Sequence, residues 1–98
     1  MNVIKKTEQE HGRYQLSFYC PGCRELHNVN ETWHWNGNLD KPTIQPSIRV
    51  RAPHGEKQQM RVCHSYITEG TIQFLHDCTH DLSGKTVALP NIEPWLKK

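Results

Sequence analysis

The sequence predicts an all-β fold, a small sandwich or barrel of six to seven short strands with at most one short helical turn near 77–83. Three observations support this prediction. Apolar and polar residues alternate over short segments, which is the pattern of a half-buried strand. Glycine and proline turn signals follow one another closely. The chain has 98 residues, of which 35% are hydrophobic, so a thin core needs a disulfide or a metal to hold it together.

Each predicted strand is bounded by a turn signal. In the first, Tyr14, Leu16 and Phe18 alternate with polar residues. The third ends at Asn36-Gly37, a dipeptide typical of type I′ hairpin turns. Pro42 and Pro46 predict an extended loop after it, since proline lacks a backbone donor. In chain order the strands are predicted at 14–19, 25–29, 32–35, 48–51, 60–67, 71–75 and 86–89.

The chain is predicted to form a single domain over residues 13–90. Residues 1–12 are polar and aperiodic and are interpreted as a flexible lead-in or a poorly paired edge strand, and residues 91–98 as a C-terminal tail. Neither a signal-peptide core nor an apolar run of membrane-spanning length is found. These features predict a cytoplasmic protein, whose thiols stay reduced.

Four cysteines in such a chain favour a metal site. Cys20-Pro21-Gly22-Cys23 lies between two predicted strands, and two cysteines in a tight turn can direct both sulfurs at one tetrahedral ion. A redox dithiol with the same spacing usually begins a helix, and no helix is predicted after Cys23. We therefore predict a zinc-ribbon-like domain with one structural zinc, bound by Cys20, Cys23, Cys63 and Cys78.

The histidines offer alternative ligands. His80 lies two residues after Cys78 and could replace a cysteine, whereas His64 adjoins Cys63 and faces the opposite way in a strand. His27 could also close the site, but its spacing from Cys23 differs from that of the nucleic-acid-binding zinc knuckle. Apart from these alternatives, His64 and His80 are predicted to hydrogen-bond around the metal, and Asp77 to cap the turn that holds Cys78.

Over about residues 14–90, the chain resembles a family of small bacteriophage and prophage proteins of undetermined function. The resemblance lies in the run Cys63-His64-Ser65-Tyr66-Ile67-x-x-Gly70-x-Ile72-Gln73-Phe74-Leu75-x-Asp77-Cys78-Thr79-His80-x-Leu82-x-Gly84-x-Thr86-Val87-x-Leu89-Pro90, together with Cys20-Pro21-Gly22-Cys23, Trp33-x-Trp35-Asn36-Gly37 and Lys41-Pro42-Thr43-x-x-Pro46-Ser47. It implies four cysteine ligands, a zinc cofactor and a bacterial host cell. Members are sometimes labelled ammonia monooxygenases, which a chain this small with no membrane span does not support.

We interpret the protein first as a phage or prophage accessory module that binds a host protein or a nucleic acid. The net charge is only +2, but five basic residues and one acidic residue lie between Lys41 and Arg61. The possible contacts with an anionic partner are Arg49, Arg51, Lys57 and Arg61, although such residues can also form a merely solvated face. Trp33 and Trp35 could stack on bases, but the shortage of apolar residues favours a place in the core.

The alternative is a small metal-dependent hydrolase that uses histidines and aspartates near Cys63 and Cys78. Four thiolates would fill the coordination sphere and leave no position for a reactive water. A cysteine nucleophile, Cys78 with His64 or His80, would be held by the metal. The sequence therefore favours a binding module over an enzyme and assigns no catalytic residue, no small-molecule substrate and no membrane contact.

Overall fold

A computed structural model describes residues 1–96, without the side chain of His54. These residues form eight strands, a single 3-10 turn at Glu10–Gly12 and one short helix, α1, at Glu93–Leu96. The strands are β1 Ile4–Glu8, β2 Tyr14–Cys20, β3 Glu25–Asn30, β4 His34–Trp35, β5 Ile44–His54, β6 Gln59–Thr68, β7 Thr71–Phe74 and β8 Thr86–Ala88. Within residues 1–96, no helix is both long and apolar enough to cross a membrane.

The strands form two antiparallel sheets, one with the order β1-β2-β3 and one with the order β4-β5-β6-β7-β8. Consecutive strands are neighbours throughout, so each sheet is a meander joined by turns and short loops. The predicted all-β class is confirmed, and the arrangement is two open sheets rather than a closed barrel. The long β5–β6 hairpin dominates the larger sheet.

One hydrophobic cluster joins the two sheets. Phe18 and Leu16 of β2 are fully buried, as are Ile72 and Phe74 of β7. Three of the cysteines, Cys20, Cys63 and Cys78, belong to the same cluster. Because full burial of a large apolar side chain contributes about 1.5–3 kcal/mol, this small cluster supplies the main apolar stabilisation.

The first and the last segments of the described residues pack against this body. Residues 1–12 contain the edge strand β1, in which Ile4 is buried and pairs with Phe18. Near the other end, Ile92 is fully buried and its backbone N–H donates to the Asn2 carbonyl at 3.1 Å. Trp95 stacks on Tyr19 with ring centroids 3.8 Å apart. Isolated apolar residues in polar surroundings carry no periodic signal, so sequence patterning finds these contacts poorly.

Two loops differ in detail from the sequence predictions. Residues 76–84 form consecutive tight turns instead of a helix, ending at Gly84 with a positive φ of 79°. Asn36-Gly37 does not close a two-residue hairpin, because β4 is joined to β5 by the whole segment 36–43. The Asn38 side chain organises that segment by accepting from the Asp40 and Lys41 amides at 2.9 and 2.8 Å.

Candidate active site and metal cluster

A serine, a histidine and an aspartate form a hydrogen-bonded row on the outer face of the five-stranded sheet. Ser47 Oγ lies 2.9 Å from His64 Nε2, and His64 Nδ1 lies 3.1 Å from Asp77 Oδ2. The imidazole is 23% exposed and the carboxylate 46%, so the row is reachable from solvent. This order of groups allows a hydroxyl to lose its proton to the imidazole while the carboxylate orients the ring.

A β-bulge directs Ser47 toward the histidine. β5 and β6 pair Ile44 with Ile67 and then Ile48 with Ser65. Three residues of β5 therefore lie opposite one residue of β6, and Ser47 is the last of the three. Bulges bend a strand and change the direction of its side chains, and they are common beside active sites. Here the bulge allows Ser47 Oγ to reach His64 while Ile48 stays in the core.

Strand alternation places His64 on the same face. Its neighbours Cys63 and Ser65 are 2% and 1% exposed, so the histidine between them points away from the core. The segment after β7 then runs beside β6, because the Leu75 amide donates to the His64 carbonyl at 2.9 Å and the Thr79 amide to the Val62 carbonyl at 3.0 Å. This segment carries Asp77 to its position opposite the imidazole.

Trp33 supports the backbone of the serine. Its indole Nε1–H donates to the Ser47 carbonyl at 3.4 Å, and its half-buried ring packs against the core. Trp35 also packs against the core and lies 6.2 Å from Tyr14, centroid to centroid. The tryptophans thus help to hold β5, as the core interpretation predicts.

Behind the row lies a cluster of cysteines and histidines that could hold a metal ion. Among the described residues, Cys20, Cys23, His27 and Cys63 form one group whose ligand atoms all lie within 4.8 Å of one another. A second group contains Cys63, Cys78 and His80. The Cys20 and Cys63 sulfurs are 3.8 Å apart, and all four cysteines are free thiols. The sulfurs are therefore available to a metal.

The unpaired histidine nitrogens support this interpretation. The Nε2 atoms of His27 and His80 are buried and have no hydrogen-bond partner among the described residues, although leaving such an atom unsatisfied is costly. His80 Nδ1 accepts from the Leu82 amide at 3.2 Å, so its Nε2 is the nitrogen that remains for an ion. Burial also lowers the pKa of His80, which favours the neutral ring that metals require.

The sulfurs differ in their preference for a proton. Hydrogen bonds from the thiols of Cys23 and Cys63 lower the pKa of Cys20 to about 3, against the opposing effect of burial. The pKa of Cys63 is raised by its hydrogen bond with Cys20 and by that with Cys23. Burial raises the pKa of Cys78. One thiolate is thus stabilised within the cluster, and thiolates are the form in which cysteines bind metals.

The cluster and the serine–histidine–aspartate row are joined through the backbone. Cys63 immediately precedes His64, and Cys78 immediately follows Asp77. The Cys78 sulfur accepts from the His64 amide at 3.1 Å and lies 3.2 Å from the His64 carbonyl, to which its S–H donates. The position of Cys78 therefore fixes both residues of the histidine–aspartate pair.

The structure separates the predicted site residues into three places. Cys20, Cys23 and Cys63 come together with His27, whereas Cys78 lies with Cys63 and His80. His64 and Asp77, which were expected near the metal, contact each other, and His64 also contacts Ser47.

The basic residues do not act as one group. Arg49 and Arg51 are exposed on the outer face of β5, and Lys57 lies in the exposed turn between β5 and β6. Arg61 is only 16% exposed and forms an ion pair with Glu25. The basic residues predicted to contact an anionic partner therefore do not form one surface, and only Arg49 and Arg51 lie on the face that carries Ser47.

Sequence reasoning did not identify Ser47. A single serine after a proline has no local signature, and its partners lie 17 and 30 residues away in the printed sequence. The one available signal was that Ser47 ends the motif Lys41-Pro42-Thr43-x-x-Pro46-Ser47. A serine, a histidine and an aspartate within one set of motifs would have been sufficient reason to test the three as a catalytic group.

The fold and the site together define a small all-β protein with a serine–histidine–aspartate row above a cysteine–histidine cluster. The model of one protein family, described as bacterial ubiquitination-like system serine protease (BubE), matches residues 2–75. The match covers about three quarters of the chain, so the chain belongs to this family. It includes Ser47 and His64 and ends two residues before Asp77. Comparison with curated proteins and with solved structures gives no match.

Proposed function

We propose that the protein is a serine protease in which Ser47 is the nucleophile, His64 the general base and Asp77 the residue that orients the histidine. The observation that carries this proposal is the pair of contacts, 2.9 Å from Ser47 Oγ to His64 Nε2 and 3.1 Å from His64 Nδ1 to Asp77 Oδ2. The family description supports it independently, because it names a serine protease.

The geometry suits acyl transfer. Ser47 Oγ attacks the carbonyl carbon of the peptide bond while His64 Nε2 takes the hydroxyl proton. For Nε2 to accept, Nδ1 must carry the ring hydrogen, and Asp77 Oδ2 is the acceptor that holds this tautomer. The imidazolium then gives its proton to the leaving amine, which leaves an acyl-serine ester. Water, deprotonated by His64, hydrolyses the ester and restores the free hydroxyl.

We further propose that the cluster binds one zinc ion with a structural role. Thiolate and imidazole ligands in a tetrahedral set are typical of structural zinc. Cys20, Cys23 and Cys63 supply three ligands, and the fourth is either His27, which lies in the same group, or Cys78, as the sequence predicts. Zinc contents of Cys78→Ser and His27→Gln proteins decide between these two ligands, because only the loss of a true ligand lowers zinc binding strongly.

Zinc in this place supports the catalytic residues without taking part in the reaction. An ion bound to Cys63 would fix the residue before His64, and the hydrogen bonds of Cys78 hold the His64 backbone from the other side. In the metal-dependent hydrolase considered from the sequence, the same histidine and aspartate would act on a metal-bound water. The contact of His64 with Ser47 favours a serine nucleophile instead.

The activity also bears on the biological setting. The family description refers to a bacterial ubiquitination-like system, and we propose that the substrate is a protein of such a system. The phage or prophage origin, the cytoplasmic location and the binding of a host protein or nucleic acid stay predictions. A protease must hold its substrate, so a protein-binding surface is compatible with the proposal.

A fluorophosphonate probe tests the nucleophile directly, because it forms a covalent bond with an activated serine and requires no knowledge of the natural substrate. We expect stoichiometric labelling of the wild-type protein at Ser47, located by peptide mass spectrometry, and none of Ser47→Ala. Ser83→Ala is the matched control, since Ser83 Oγ donates only to the Leu75 and His76 carbonyls. A folded, zinc-loaded wild-type protein that reacts with no probe would contradict the proposal.

A further inference from the structure

The edge of β5 beside Ser47 has no strand partner. β6 pairs with β5 from Ile48 to His54 on one side, whereas β4 pairs on the other side only at Ile44 and Gln45. Beyond Gln45, that side of β5 faces no strand within the described part of the chain. On this side the Ser47 carbonyl accepts from the Trp33 indole and Pro53 has no N–H, and the other backbone groups of the edge can pair with an added strand.

The free edge begins at the catalytic serine. Ser47 follows the last residue of β5 that pairs with β4 by two positions, and its hydroxyl is directed at His64. A peptide that adds to a sheet edge is held in an extended conformation by main-chain hydrogen bonds, and its alternate side chains are available for recognition. A peptide added here would run past Ser47, so one of its peptide bonds would lie beside this residue.

Two exposed arginines lie on the same face as Ser47. Ile48 is buried in the core and Val50 packs against it, so Arg49 and Arg51 point outward with the serine. At about 3.3 Å per residue they lie about 7 and 13 Å from Ser47 along the strand. An added strand has the same repeat, so its residues two and four positions from the cleaved bond come next to these guanidinium groups.

These arginines have no internal carboxylate partner in the described residues, whose ion pairs involve other cations. Arg61 differs, because it pairs with Glu25. A guanidinium binds a carboxylate through two parallel hydrogen bonds. Arg49 and Arg51 are two residues apart on β5, which is also the separation of neighbouring side chains on one face of an added strand. The charge pattern thus matches acidic side chains at alternate positions of an extended chain.

We propose that the substrate is an extended acidic segment of a protein, which binds as an added strand along β5 with its carboxylates on Arg49 and Arg51. This inference rests on the proposed serine protease function and names the substrate class of the same site. The arginines bind substrate and take no part in the chemistry at Ser47.

Fluorogenic peptides provide the test. Peptides with Asp or Glu two and four residues from the cleaved bond should have a KM about tenfold lower than neutral peptides of the same length, with a similar kcat. Arg49→Gln and Arg51→Gln should each raise KM for the acidic peptides by about fivefold, and added salt should reduce the difference. Lys57→Gln removes the same charge away from this edge and should leave KM unchanged.

Two further measurements separate the possible failures. Fluorophosphonate labelling and hydrolysis of an uncharged ester report on Ser47 and His64 without an acidic peptide. Because Arg49 lies opposite His64 in the β5–β6 register, the KM of each arginine variant is compared between acidic and neutral peptides, and a rise in KM for acidic peptides alone is the expected result. N-methylation of peptide amides that face β5 should abolish cleavage if the peptide binds as a strand.

Several outcomes would overturn the inference. They are equal cleavage of acidic and neutral peptides, tolerance of N-methylation at every position, and arginine variants that lose binding to an oligonucleotide but cleave peptides normally. If the wild-type protein is neither labelled nor active on the ester, the proposed function fails, and this inference fails with it.

Discussion

Replacement of Asp77 by asparagine is the most informative single change at the proposed active site. The side chain keeps its size, but it loses the charge that stabilises the His64 imidazolium. It can also present an amide N–H to His64 Nδ1, which favours the tautomer whose Nε2 carries hydrogen and cannot accept the Ser47 proton. The substitution therefore tests whether the 3.1 Å contact is a catalytic contact.

The expected size of the effect follows from the exposure of the pair. In a serine protease with a buried aspartate, the same change lowers kcat about 10⁴-fold, which is about 5.4 kcal/mol at 1.36 kcal/mol per tenfold. Asp77 is 46% exposed and His64 23%, so water screens part of the attraction between carboxylate and imidazolium. We therefore expect a smaller loss, of about 10² to 10³-fold, or about 3–4 kcal/mol.

The assay is the rate of fluorophosphonate labelling together with kcat for an uncharged ester, measured on zinc-loaded protein whose circular dichroism matches that of the wild type. Asp81→Asn is the control, because it removes an exposed carboxylate from the same segment. Adding Asp77→Asn to Ser47→Ala should cause no further loss, since residues of a catalytic unit are not additive. A loss below fivefold in Asp77→Asn would refute the assignment of Asp77 to the triad.

Four further predictions concern the metal cluster, the tryptophan beside Ser47 and the hydrophobic core. Removal of zinc with a chelator should lower both the β-sheet circular dichroism signal and the rate of probe labelling, because zinc ligation and folding are coupled. If metal-free protein keeps both its fold and its labelling rate, the structural role of zinc is contradicted. Cys20→Ser should have the same effects, and normal zinc content in a folded Cys20→Ser protein would exclude that ligand. Trp33→Phe removes the donor to the Ser47 carbonyl, so probe labelling should slow about threefold and the free energy of unfolding should fall by ~1 kcal/mol. An unchanged labelling rate would show that this hydrogen bond does not position the serine. Phe18→Ala should lower the free energy of unfolding by about 3–5 kcal/mol in urea denaturation, since Phe18 is fully buried, and a loss below 1 kcal/mol would argue against the core.

The sequence was most informative where local chemistry decides the structure. Alternation at Tyr14, Leu16 and Phe18 predicts β2, and Cys20-Pro21-Gly22-Cys23 predicts a turn with two sulfurs on one side. Both features are present. Strand formation and a tight turn depend on neighbours along the chain, so a single sequence carries their signal.

The active site depends on contacts between distant segments. Ser47 reaches His64 because a bulge changes the register between β5 and β6. Pro46 lies in this bulge, and prolines within strands are typical of bulges, but the residue that Ser47 then reaches is decided by the pairing of the sheet. Asp77 reaches His64 because the segment after β7 hydrogen-bonds to β6. His64 and Asp77 were recognised as polar residues near the cysteines, but the partner that gives them a chemical role was not recognised.

By itself, then, the sequence determined an all-β chain with a cysteine–histidine cluster and a basic middle segment, since composition, alternation and short spacings express these features directly. Tertiary structure decided which of those residues act together. It placed His27 in the group of Cys20, Cys23 and Cys63, separated Arg61 from the outward-facing arginines, and brought Ser47 to His64. The physical reason is that hydrogen bonds of 2.9 and 3.1 Å depend on strand register and loop packing, which are fixed only when the whole sheet forms.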